Sequence, residues 1–160
     1  MKRVAMTGVL IGACLLPVTA FGASNVTYTN GTIQNKDFGY SVKTTAALQT
    51  AIKQDKVNVV KNKTVKTKYG TVTRSGTFSL YYKVKGKDQM LVNLNFEPKK
   101  LTKTQFENQV GFGTYLGTKG DKTYYYVQPT EAVQGAVGKQ KIADLIARDV
   151  PTMMKTFKLK

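Results

Sequence analysis

The chain has 160 residues, with 25 lysines and arginines against nine acidic residues, no His, no Trp and one Cys. Without an imidazole, Ser-His-Asp and Cys-His catalysis are excluded, as are zinc sites built from His and Cys. The length suits one domain, and the formal charge of +16 rests on lysine, which supplies 22 of the 25 cations.

Residues 1–23 read as an export signal, with Lys2 and Arg3 ahead of an apolar run from Val4 to Leu16 and small residues at Ala20, Gly22 and Ala23. Cleavage after Ala20 or Gly22 starts the mature chain near Ser24 and leaves 23 cations against nine anions. The run is short and interrupted by Pro17, so no transmembrane span is expected there or later. Ile11-Gly12-Ala13-Cys14 also satisfies a loose lipobox, so lipid attachment at Cys14 is the alternative to losing that residue with the signal. A mature chain without Cys14 has no disulfide and relies on its core.

Residues 24–37 form a lead-in or a short hairpin, because Asn30-Gly31 is a two-residue turn signal between β-prone runs. Residues 38–160 make one domain. Phe38 to Val42 is extended, and Thr44 or Thr45 caps a short helix whose Ala47, Leu48, Ala51 and Ile52 share a face. Val57 to Lys68 is expected to be one long, partly exposed strand, with breaks at Gly70 and Ser75-Gly76. Phe78, Leu80, Tyr82 and Val84 alternate with polar residues, as do Met90, Val92, Leu94 and Phe96. The two runs predict a hairpin across residues 85–88. Thr102 and Gln105 have capping-box spacing, with Leu101 and Phe106 as the hydrophobic staple of a short helix. Strands over 111–118 and 122–128 follow, then a loop over 129–138. Ile142, Leu145, Ile146, Val150, Met153, Met154 and Phe157 lie on one helical stripe, which Pro151 should kink or restart with Asp149 as the cap. Strands joined by tight turns and flanked by helices predict an α+β fold with a mainly antiparallel sheet.

The segment from the Phe78 strand through Tyr124-Tyr125-Tyr126, Pro129-Thr130, Asp149-Val150-Pro151 and Phe157-Lys158 resembles small secreted or lipid-anchored proteins of lactobacilli and related Gram-positive bacteria. Those are in turn similar to the PsbP-like α/β/α sandwich group. The resemblance covers residues 38–160, rests on pattern, and implies that fold and an extracytoplasmic location. It brings no active site with it.

From Lys56 to Lys87 there are nine cations and no carboxylate. Lys61, Lys63, Lys66, Lys68, Arg74, Lys83, Lys85 and Lys87 are therefore the candidate contacts for a polyanion. The partner would be an anionic cell-wall polymer, an acidic lipid surface or a host glycan, since export argues against intracellular nucleic acid. Lysine in place of arginine favours diffuse attraction over bidentate phosphate recognition. The bland alternative is that these lysines guard a strand edge and keep the protein soluble. Tyr81 and Tyr125, interleaved with lysines, are candidate stacking residues, although tyrosine is also an ordinary strand residue. Gly111, Gly113 and Gly117 fit no dinucleotide fingerprint, and Gly138-Lys139 fits no phosphate loop. Glu97, Glu107, Asp121 and Glu131 are the acids available to a glycosidase, with no spacing that predicts convergence. No metal or cofactor is called for. The residues thus point to a secreted, non-enzymatic cationic binding module, with a small hydrolase or a cationic toxin or immunity protein as alternatives.

Overall fold

The computed structural model describes residues 25–68, 70–130 and 138–160. The proposed signal and Cys14, Tyr69, and Glu131 with most of the 129–138 loop lie outside them.

Asn30 and Gly31 both take left-handed backbone angles, which turns β1 (Val26–Thr29) back on β2 (Thr32–Asn35) as expected. β3 (Tyr40–Lys43) pairs with β2, and α1 (Ala46–Lys53) starts at Thr45, whose hydroxyl accepts from the Leu48 amide. Leu48 and Ala51 are the buried face of α1. The expected single strand over 57–68 is instead two. β4 (Val57–Lys61) pairs with β7 (Phe78–Tyr82), while β5 (Val65–Thr67) pairs with β6 (Gly70–Thr73), a strand hidden by its glycine and threonines.

β8 (Gln89–Glu97) returns along β7. The register slips between Leu80 and Tyr81, so Leu91 enters the core along with Val92, and Met90 is only half-buried. α2 (Lys103–Gln109) carries the complete capping box, with Gln105 N–H to Thr102 Oγ1 at 3.2 Å and Thr102 N–H to Gln105 Oε1 at 2.9 Å. The staple residues Leu101 and Phe106 are buried together against Tyr125. β9 (Thr114–Lys119) and β10 (Lys122–Val127) complete a sheet of order β4-β7-β8-β10-β9, antiparallel throughout.

The C-terminal stripe is buried as predicted from Ile142 to Met154, with Phe157 half-buried beyond the helix end, but the helix neither restarts nor is capped by Asp149. α3 (Lys139–Asp144) runs through a π-helical turn at Leu145–Asp149 into α4 (Val150–Met154). The Val150 amide bonds Leu145 O, five residues back, and the wider turn gives the Pro151 ring the room that an α-turn denies it. The Asp149 carboxylate instead accepts from Thr45 Oγ1 at 2.6 Å, tying this helix to the start of α1. β11 (Lys158–Leu159), unmarked by any sequence pattern, pairs with β3 and completes a second antiparallel sheet, β1-β2-β3-β11.

The molecule is thus an α+β fold of two antiparallel sheets packed with helices. One core contains Ile33 and Val42 of the four-stranded sheet, Leu80 and Leu94 of the five-stranded sheet, and Leu145 and Met153 of the C-terminal helix. The rings of Tyr40, Tyr124 and Phe157 meet at 5.7–6.1 Å where the sheets approach. Helix α2 covers the opposite face of the five-stranded sheet. Gly76 is pinned between these parts. Its φ is +87°, a Cβ there would lie 2.3 Å from the Phe38 ring, and its carbonyl accepts from Tyr40 Oη and Asn35 Nδ2. Gly76→Ala is expected to cost about 2 kcal/mol, measurable by urea denaturation, from left-handed strain plus displacement of Phe38.

Candidate functional site

The acid-free basic tract folds as one long hairpin. β4 and β7 form its base inside the five-stranded sheet, residues 62–64 and 74–77 its root, and β5 with β6 an arm that runs past the sheet end. A buried polar knot explains why the root departs from regular pairing. Asn62 is 6% exposed and its amide nitrogen donates to Thr77 Oγ1 (2.8 Å), Asn93 Oδ1 (3.3 Å) and Leu94 O (3.4 Å). Its amide oxygen accepts from Ser79 Oγ at 2.8 Å. Ser79 and Asn93, which alternation alone assigns to an exposed face, are buried by this network. Farther out, Thr64 and Ser75 exchange amide-to-hydroxyl bonds across the root, and Thr73 Oγ1 donates to Lys63 O at 2.7 Å.

The structure separates the eight candidate cations into three groups. Lys61 at the end of β4, Lys63 in the root, Lys66 on β5 and Lys68 in the turn after it are all exposed along the outgoing half of the hairpin, and are called the arm lysines below. Arg74 is turned inward: its Nε donates to Phe96 O at 2.6 Å, its guanidinium lies 5.5 Å from the Phe96 ring, and it pairs with Glu97 at 3.4 Å. Lys83, Lys85 and Lys87 stand beyond the opposite end of β4, because antiparallel pairing sets Tyr82 beside Val57 and Phe78 beside Lys61. The five residues of β4 separate the groups by about 15 Å. Lys83 is also paired with Asp55 at 2.6 Å. The four arm lysines are therefore the ones brought together as an exposed set.

The two candidate stacking residues are not brought together. Tyr125 is fully buried beneath α2, its ring centroid 5.0 Å from that of Phe106, and its hydroxyl donates to Glu97 Oε1 at 3.3 Å. Burial, reinforced by the Glu97 charge, pushes its ionisation well above the usual tyrosine range. Tyr81 is half-buried on β7, with β8 between it and β10. Among the described residues the most exposed aromatic side chain is Phe112, 57% exposed on the turn before β9.

Of the acids that could have served a hydrolase, the three among the described residues are each matched by a cation. Glu97 pairs with Arg74, Glu107 with Lys103, and Asp121 with Lys122. Lys122 holds the Asp121 carboxyl below the usual range by a hydrogen bond and by its charge. Among the described residues no group of three His, Cys, Asp or Glu is placed to hold a metal ion.

A further basic group has no counterpart as a tract in the sequence. Thr123 Oγ1 accepts from the Leu101 amide and donates to Lys99 O, both at 2.8 Å, drawing residues 99–103 to the start of β10. Lys119 and Lys122 face each other across the β9–β10 turn. Lys99, Lys100 and Lys103 thus lie at the same end of the sheet as Lys119 and Lys122, which occupy its other face, Lys122 over the rings of Phe38 and Phe96 and Lys119 on Lys160 O. It is the end from which the arm departs, since Arg74 at the root holds Phe96 and Glu97.

No helix among the described residues is long and apolar enough to cross a membrane. No family model matches the chain, and neither the curated proteins nor the solved structures provide a match.

Proposed function

We propose that the protein is an exported, non-enzymatic module that docks onto an anionic polymer or surface through the lysines along the outgoing half of its long hairpin, from the end of β4 to the turn after β5. The observation that carries this reading is the arm itself. Lys61, Lys63, Lys66 and Lys68 are exposed on a ribbon anchored to the sheet by a buried hydrogen-bond knot. A strand needing lysine only as protection against edge pairing could stay short and stop at the sheet. The signal-like residues 1–23 and the resemblance to secreted Gram-positive proteins support a location at the cell envelope, with lipid at Cys14 as the alternative means of retention. An anionic cell-wall polymer, an acidic lipid surface and a sulfated or sialylated glycan all meet the charge requirement.

The test is salt-dependent retention of the mature protein on immobilised teichoic acid and heparin. Binding at low salt that weakens steeply as salt rises is expected. Changing Lys61, Lys63, Lys66 and Lys68 together to Gln should weaken binding about tenfold or more, at roughly 0.5 kcal/mol per contact. The same change at Lys139, Lys141, Lys155 and Lys158 should do far less. Equal losses in the two variants would reduce the effect to net charge and overturn the role of the arm.

A further inference from the structure

Two of the lysines at the arm end of the sheet, Lys100 and Lys103, border an open cleft of about 420 Å³ between the start of α2 and β9. This volume is in the lower part of the roughly 300–1,000 Å³ range of small-molecule sites. Lys100 and Lys103 stand on one side, Tyr115 and Thr118 on the other, with Leu101 in the lining and no carboxylate. Thr102 and Gln105 also border it, but their side chains are committed to the capping box. The two ammonium groups remain available: the contact of Lys103 with Glu107 is 3.8 Å long between side chains 70% and 57% exposed, too weak to hold against a ligand. Tyr115 is half-buried, its ring braced by Phe106 at 5.9 Å, so it offers a fixed apolar wall.

Two lysine charges facing an immobilised aromatic ring and a threonine hydroxyl suit a ligand with an anionic group at one end and a hydroxylated ring at the other. We infer that this cleft receives one phosphorylated sugar unit. Lys100 and Lys103 neutralise the phosphate as point charges, Tyr115 packs against the sugar ring, and Thr118 bonds a sugar hydroxyl. The inference rests on the polyanion reading but uses different residues. From Glu97, held by Arg74 at the root of the arm, the chain runs through Pro98 and Lys99 directly into the cleft. The cleft strand β9 lies three strand spacings from β7, about 14 Å. A short stretch of polymer therefore reaches both, and the second contact forms at high effective concentration. The cleft supplies recognition of the repeating unit, and the arm supplies attraction along the chain.

Amide NMR titration of the mature protein with glucose 6-phosphate, inorganic phosphate and glucose as separate probes tests this. Glucose 6-phosphate should give saturable shifts over residues 100–105 and 115–118, at least tenfold tighter than inorganic phosphate, with none from glucose. Changing Lys100 and Lys103 to Gln, both on exposed positions, should weaken glucose 6-phosphate binding tenfold or more. The fourfold arm variant should leave it unchanged while losing retention on polymer. Equal affinity for phosphate and glucose 6-phosphate, shifts spread evenly to Lys85 and Lys87, or an unaffected Lys100/Lys103 variant would each overturn the site. None of these results would touch the arm, whose own test is polymer retention.

Discussion

Between pH 10 and 12 three buried tyrosines should destabilise the fold, their own contribution approaching about 4 kcal/mol per pH unit in the middle of that window. Tyr40, Tyr124 and Tyr125 are each no more than 1% exposed. Burial is the main cause raising the ionisation of all three, aided by the neighbouring Tyr124 for Tyr40 and by Asp121 for Tyr124, which is pushed up to about 12. In the unfolded chain they ionise near pH 10. Below that pH both states hold the protons and stability is independent of these groups. Above it the unfolded state releases three protons that the folded state retains until Tyr124 begins to ionise near 12, at about 1.4 kcal/mol per proton per pH unit. Their contribution is therefore complete below pH 10 and is lost as pH rises toward the folded values. Discharge of the lysines over the same range relieves repulsion and acts in the opposite direction, so Tyr40→Phe isolates the effect. It removes the bond from Tyr40 Oη to Gly76 O (2.9 Å) and should flatten the alkaline slope by about one third. Denaturant titrations from pH 7 to about 12, with tyrosinate absorbance followed in parallel, provide the check. Ionisation of these rings near pH 10 while the circular dichroism stays native would refute the prediction.

Asn62→Ala should cost about 3–4 kcal/mol and lower the melting temperature by roughly 10 °C. The loss is large because the amide serves four partners at once. Its removal leaves Ser79 Oγ, Thr77 Oγ1 and Asn93 Oδ1 inside the protein with one bond fewer each, and alanine restores none of them. Lys63→Ala, one position along on an exposed side chain, should stay within about 0.5 kcal/mol. The same substitution bears on function, because the knot is what aims the arm. Hydrogen exchange in residues 62–77 should accelerate more than in β8 and β10. A cost below 1 kcal/mol, or acceleration spread evenly over the sheet, would show that the root is held by other contacts.

Local patterns carried most of the elements. Asn30-Gly31, the Thr45 cap, the alternation of Phe78, Leu80 and Tyr82, and the Thr102–Gln105 box are each decided by residues within one or two turns of chain, and each formed where expected. The stripe from Ile142 to Phe157 was equally legible, because burial of an apolar helical face depends little on how Pro151 is accommodated. What escaped is decided across distance. β6 has threonine and glycine in place of an alternating apolar face, so only pairing with β5 makes it a strand. Ser79 and Asn93 look solvent-facing until Asn62 arrives from another strand to satisfy them. Tyr125 reads as a wet strand residue because nothing near it in sequence announces that α2 will cover it. As for the site, the arm lysines were visible as a run of charge without acids. Their separation from Lys83, Lys85 and Lys87 followed from antiparallel register, and the Lys100–Lys103 cleft from the bonds of Thr123 to a segment some twenty residues earlier.

The pairing of β3 with β11 also bears on the order in which the molecule can assemble. Most strand contacts of the five-stranded sheet close short or moderate loops, whereas this ladder joins Ser41 to Lys158. Closing so long a loop costs about 2 kcal/mol more in chain entropy than closing a ten-residue hairpin. A two-residue ladder cannot supply that alone. The difference is met by Thr156 Oγ1 bridging both the amide and the carbonyl of Lys43, by the Lys160 amide on Gly39 O, and by Phe157 stacked on Tyr40. All of these depend on the C-terminal helix already lying in its groove. During synthesis, which proceeds from the N-terminus, β1–β3 are made first and completed last. The open edge of β3 is thus a feature of the nascent chain, and it disappears only when the last helix docks.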